Sequence, residues 1–106
     1  MSEDMVIGSG DIMEHAAEAE IFLKQFANKT RLMVLCSLLK EEKSVTELLE
    51  VISVSQPVIS QHLALLREAK MVATRRDGQT IYYRLADERV KRLIALMYEF
   101  FVSGAN

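Results

Sequence analysis

Three side chains in this 106-residue chain could supply an imidazole or a thiolate: His15, Cys36 and His62. Zinc and its neighbours want three or four N, S or O ligands. The two histidines stand far apart in sequence, and neither has a His or Cys four residues away. No metal site is therefore expected; the alternative is one shared between two copies, built from His15 and carboxylates. No general acid is paired with a base, no glycine-rich loop could cradle a phosphate, and no nucleophile stands beside a base. That excludes the usual enzyme classes and implies no cofactor. Cys36, in "RLMVLCSLL", leaves two readings open. It is either a small, buried apolar side chain or a candidate thiol sensor acting through sulfenic acid, a persulfide or a mixed disulfide.

A different chemistry is written into "SQPVISQHLALLRE", residues 55–68, which holds the only proline. At about 100° per residue, Val58, Ile59, His62, Leu63, Leu65, Leu66 and Ala69 share one arc of a helix. Gln56, Pro57, Ser60, Gln61, Ala64, Arg67 and Glu68 share the other. Ser and Gln are weak choices for a plain helix surface, yet they suit base edges and phosphate oxygens, Gln pairing in a bidentate manner with adenine. His62 falls among apolar neighbours. With Ser55 as N-cap, Pro57 sits at N2; with Gln56 as N-cap, it sits at N1. Either way it stiffens the N-terminal end of the helix.

The flanking elements supply a frame for such a helix. Apolar spacing predicts a first helix over about Ile12 to Ala27. Asn28 is a plausible N-cap for a second helix running to about Lys40. Ser44 and Glu47 have capping-box spacing and open a short helix through Val51. The turn "ISVS" then leads into the helix over 55–69, a helix-turn-helix pattern. Residues 71–85, "MVATRRDGQTIYYRL", are β-branched and aromatic around Asp77-Gly78, a hairpin signal. Ile81, Tyr83 and Leu85 alternate with Thr80, Tyr82 and Arg84. A last helix from Asp87 carries Val90, Leu93, Ile94, Met97, Phe100 and Phe101 at helical spacing. The fold class is mainly α (α+β): a winged helix-turn-helix of five helices with a two-stranded wing. It occupies residues 11–102, between a flexible acidic N-terminus (1–10) and a C-terminal tail (103–106).

Bulk properties narrow the partner. Half of the residues are hydrophobic and 26% are charged, a folded composition sized for one domain. No apolar run nears the roughly 18–20 residues of a membrane helix. The acidic start "MSEDMVIGSG" lacks the order of a signal peptide, and a single Cys suits a reducing cytoplasm. Residues 1–20 hold six carboxylates and no Lys or Arg, so against a net charge of −2 the other 86 residues carry +4. Within 55–84, five cations face two carboxylates, leaving +3. That bias fits an anionic partner such as double-stranded DNA, or a solvated charged face.

With helix-turn-helix and wing in register, the chain resembles the ArsR/SmtB family of small winged-helix repressors from about Ala19 to Phe101. The resemblance rests on "FANKTRLMVLCSLL", "SVTELLEVISVSQPVISQHLALLREAKMV" and "RRDGQTIYYRL", and the first of these points to the branch of HlyU-, BigR- and NolR-like regulators. It implies a homodimer that binds an inverted-repeat operator and leaves it when an inducer acts. It also implies a dimer interface on the first and last helices, here Phe22, Leu23, Leu93, Met97, Phe100 and Phe101. DNA contacts would then come from Ser55, Gln56, Pro57, Ser60, Gln61 and Arg67 on the helix and from Arg75, Arg76 and Gln79 on the wing. Metal-sensing members use thiolates on the first helix of the helix-turn-helix, or carboxylates and histidines on the last helix. Here those places read "TELLEVI", without Cys, and "DERVKRLIALMYEFF", without His. Redox-responsive members pair a Cys on the second helix with one near the end of the last. That position is about Val102 here, so the partner of Cys36 is missing, and the inducer stays unidentified. Two alternatives to a repressor remain: an activator that displaces another repressor or silencer, and a protein-interaction module using the apolar terminal helices.

Overall fold

The structure is a computed structural model and describes residues 9–103. In chain order it contains α1 (Ser9–Glu14), α2 (Ala16–Lys24), α3 (Lys29–Ser37), β1 (Lys43–Ser44), α4 (Val45–Val51), α5 (Gln56–Glu68), β2 (Val72–Asp77), β3 (Thr80–Leu85) and α6 (Glu88–Tyr98). A π-helical turn, Glu99–Ser103, prolongs α6. The expected N-terminal segment lies outside the described residues except for Ser9 and Gly10, which open α1. Of the expected tail, 104–106 also lie outside them.

The winged helix-turn-helix is present, with two additions to the sequence expectation. The single helix expected over 12–27 is divided at His15, whose N–H donates to Ile12 O in a tight turn (3.1 Å). Nδ1 of the same residue meets Glu18 at 2.8 Å. Apolar spacing runs through this point unaltered and does not register the break. The two-stranded wing gains a third strand: Lys43 and Ser44 pair antiparallel with Tyr83 and Tyr82, giving the order β1-β3-β2.

Local signals fix most element ends. Asn28 Oδ1 accepts from Arg31 N at 3.0 Å and starts α3. Ser44 and Glu47 close both bonds of the capping box on α4. α3 stops short of Lys40: Ser37 Oγ donates back to Met33 O (2.7 Å), and Leu38 N divides its bond between Val34 O and Leu35 O. α5 ends in a Schellman arrangement, with Lys70 N donating to Arg67 O and Met71 N to Leu66 O. The left-handed position of that motif is filled by Lys70 (φ 63°) rather than glycine. At the wing tip, Gly78 (φ 65°) takes the first of two loop positions, as a II′-type hairpin turn requires.

One core joins these elements. Leu35 of α3, Leu48 of α4, Ile59, Leu63 and Leu66 of α5, and Val90 and Ile94 of α6 are fully buried, with Met71, Val72 and Leu85 closing it at the wing base. Each such side chain contributes about 1.5–3 kcal/mol by leaving water. α5 is therefore clamped along Ile59, Leu63 and Leu66, spaced four and three residues apart, and its opposite face is turned outward.

Candidate nucleic-acid interface

Ser55 is the N-cap of α5, which puts Pro57 at N2, the first of the two placements the sequence allowed. The Ser55 side chain makes no capping bond. Among the described residues its hydroxyl has no hydrogen-bond partner, and the first turn carries the N–H groups of Gln56 and Val58, since Pro57 has none. Gln56, Pro57, Gln61 and Arg67 are exposed and Ser60 is half-buried. Gln56 Nε2 donates to Ser60 Oγ at 3.2 Å, so the two share one patch of the outward face. A row of neutral donors and acceptors beside a helix N-terminus is equipped to meet base edges and phosphate oxygens together.

The buried arc of α5 is narrower than the helical wheel suggests. Val58 and Leu65, expected inside, are 38% and 43% exposed, and Ala69 is exposed too. They flank the buried row, and Leu65 and Ala69 border a shallow groove shared with Lys24, Gln25 and Arg31. His62 is half-buried, and Arg31 Nη1 lies 3.4 Å from its Nδ1. An arginine only donates, so Nδ1 is the bare ring nitrogen. Burial, and then the Arg31 charge, hold the imidazole below its ordinary pKa. The same guanidinium donates to Gln25 O and Lys24 O, both at 3.1 Å. Arg31 thus ties the end of α2 to α5. Sequence reasoning gave Arg31 no role, since its partner His62 lies 31 residues away.

On the wing, the three candidate side chains lie in different settings. Gln79 occupies the exposed tip beside Gly78. Arg76 Nε donates to Gly78 O at 3.0 Å and the side chain is exposed. Arg75 is engaged within the protein: Nε donates to both carboxylate oxygens of Glu42 at 3.1 Å, and Nη2 makes a short bond to Oε2. Its guanidinium also lies over the Tyr82 ring, 4.8 Å from the centroid. The Arg75 hydrogen bond holds the Glu42 carboxyl below the usual carboxylate range. Neither Glu42 nor Tyr82 was singled out from sequence, and no local spacing could pair residues 33 apart.

The expected dimer residues also divide. Phe22 and Met97 pack against the protomer's own core, Phe22 meeting Phe26 at 5.3 Å beneath the Arg89 guanidinium. Leu93 is half-buried, whereas Leu23, Phe100 and Phe101 are 53%, 59% and 77% exposed. Ile12, Met13, Ile21, Leu96 and Val102 add to the exposed apolar surface of the terminal helices. Cys36 is half-buried beside the core, and burial pushes its thiol pKa up, away from the thiolate. Among the described residues, no three His, Cys, Asp or Glu side chains gather as a metal site, and no helix is long and apolar enough to cross a membrane.

Comparison with known proteins agrees with this geometry. Residues 28–74 match the family described as bacterial regulatory protein, arsR family. The chain is similar to the biofilm growth-associated repressor of Agrobacterium fabrum, 44% identical over 88 residues, covering 83% of this chain and 75% of the relative. It is 41% identical over 91 residues to the transcriptional activator HlyU of Vibrio cholerae, covering 86% and 84%. The crystal structure of the transcriptional repressor BigR from Xylella fastidiosa superposes with a TM-score of 0.83 at 37% identity, covering 90% and 97%.

Proposed function

The chain belongs to the arsR family of bacterial regulatory proteins, and from that premise we propose that it is a homodimeric, cytoplasmic repressor that binds an inverted-repeat operator in double-stranded DNA. The observation that carries the reading is the N-terminal end of α5. It is anchored from below by Ile59 and Leu63 and presents Ser55, Gln56, Pro57, Ser60 and Gln61 outward. Helices of this kind enter the major groove N-terminus first. Arg67 on α5 and Arg76 and Gln79 on the wing complete the proposed DNA-binding set.

The apolar surface on the terminal helices supports a dimer. Ile12, Ala16, Leu23 and Ala27 line an open groove of about 490 Å³ along α1 and α2, and Phe100 and Phe101 stand exposed in the π-helical turn. Phe101→Asp is expected to shift the sedimenting mass from two chains to one. Cys36 is read as a packing residue: an oxidant or sulfide should change DNA affinity little, and a large loss abolished by Cys36→Ser would reverse that reading.

Retention of genomic fragments at low salt, followed by footprinting, tests the function. Two protected half-sites about 34–36 Å apart, or a multiple of that, are expected. A monomeric footprint would refute the dimeric geometry, and failure to retain any fragment would refute the regulator. A second reading of the outcome, activation by displacing another repressor or silencer, draws on HlyU, a relative named as an activator. A footprint shared with a silencing protein, rather than with the polymerase site, would favour it.

A further inference from the structure

Arg75 is the best-connected cation of the wing, and its connections run inward. The sheet order is β1-β3-β2, and Arg75 of β2, Tyr82 of β3 and Ser44 of β1 stand in one row across it. From the outer strand the Arg75 side chain crosses over the Tyr82 ring and forks onto Glu42, in the loop just ahead of β1. The contact thus spans all three strands. The wing is also held to the body by Val72 and Leu85 packed at its base, by Tyr83 half-buried against the core, and by the two-residue β1–β3 pairing. That pairing reaches as far as the Ser44–Tyr82 row and engages β3 alone, so at this row the outer strand is tied through Arg75, and Arg76 and Gln79 lie beyond every one of these holds.

The same geometry argues against a direct phosphate contact by Arg75. Glu42 takes Nε and Nη2, and Asp77 lies 3.9 Å from Nη1. A phosphate approaching this guanidinium would meet two carboxylates already beside it, a like-charge arrangement. Arg76, one residue on, makes its single hydrogen bond among the described residues to a backbone carbonyl at the turn, and no carboxylate neutralises it.

We propose that Arg75 and Glu42 are positioning residues of the wing: their ion pair, laid over Tyr82, straps the hairpin to the helical body and sets the angle at which Arg76 and Gln79 reach DNA. This rests on the DNA-binding reading above and replaces, for Arg75, the phosphate contact that the family resemblance implies.

A charge exchange read against salt tests it. Arg75→Glu alone reverses one end of the strap and should weaken operator binding on the order of tenfold. The exchanged pair, Arg75→Glu with Glu42→Arg, should restore affinity to within about threefold of wild type, with the slope of log K against log salt unchanged. Arg76→Ala should lower that slope by about 0.9, as one lost phosphate contact does. Glu42→Gln, an uncharged variant of a surface residue, should weaken binding without changing the slope. An exchanged pair as weak as Arg75→Glu, with a slope lower by about one, would make Arg75 a phosphate contact and overturn the proposal. A Glu42→Gln protein that binds more tightly would also overturn it, since Glu42 would then compete with DNA. Wild-type protein that binds no DNA would overturn the regulator itself, whereas a failed exchange in a wild type that binds overturns only the strap.

Discussion

The reading end of α5 and the middle of the wing are both polar and exposed, yet they differ in what is already bonded. At the start of α5, Ser55 makes no capping bond and Gln56 shares one 3.2 Å contact with Ser60. On the wing, Arg75 is bonded to Glu42 and stacked on Tyr82 before any partner arrives. Residue counting treats the two regions alike. Bond accounting separates them: α5 offers neutral donors and acceptors held ready on a rigid helix, and the wing spends one of its arginines on its own orientation. Formal charge over 55–84 therefore overstates the cations available to DNA.

The contrast depends on α5 being rigid, and the strongest way to break it is from beneath. Leu63→Ala empties a fully buried position and should cost about 2–5 kcal/mol of unfolding free energy. Gln61→Ala, two residues away on the outer face, should stay within about 0.5 kcal/mol. Urea denaturation of the two variants measures the difference between the faces. If they were equally stable, α5 would not be anchored as described.

The junction between α5 and the wing gives a smaller effect of opposite sign. Lys70 holds a left-handed conformation that glycine adopts without strain. Lys70→Gly should raise stability by about 0.5–1 kcal/mol, seen as a higher melting temperature, with operator selectivity unchanged. A stability loss would mean that the lysine side chain matters more than the turn.

The smallest effect is a pH dependence at His62. Burial, and then Arg31, depress its pKa in the folded protein, so the unfolded chain takes up the proton first. The stability this residue contributes is full above the unfolded value, about 6.5, and declines as the pH falls below it. His62→Gln should remove that decline, and thermal melts of both proteins between neutral and mildly acidic pH compare them. Parallel curves would show that the Arg31–His62 contact carries no weight.

Features governed by neighbours three or four residues apart were legible in the sequence. The Asn28 cap, the Ser44–Glu47 box and the buried row Ile59, Leu63 and Leu66 follow from local spacing, and so does the hairpin that Asp77-Gly78 signals, though its two loop residues are Gly78 and Gln79. The order helix-turn-helix then wing followed from those, and with it the family. Features set by distant residues were not legible. Lys43 and Ser44 become a strand only because β3 arrives beside them. Val58 and Leu65 look internal on a wheel, which contains no information about where the neighbouring helices end. Arg75 reads as a free cation until the loop carrying Glu42 is folded against it. At the recognition end, residue types gave the candidates, and the fold supplied the distinction between bonded and unbonded groups.

The central claim is that the start of α5 reads bases, and the specificity ratio of Gln56→Ala tests it most directly. Affinities of wild type and variant are measured at one salt concentration for the selected operator and for a scrambled duplex. The account predicts that the variant loses about 1–3 kcal/mol on the operator alone, with scrambled binding and the salt slope unchanged. Equal loss on both duplexes, or an unchanged ratio, would contradict it.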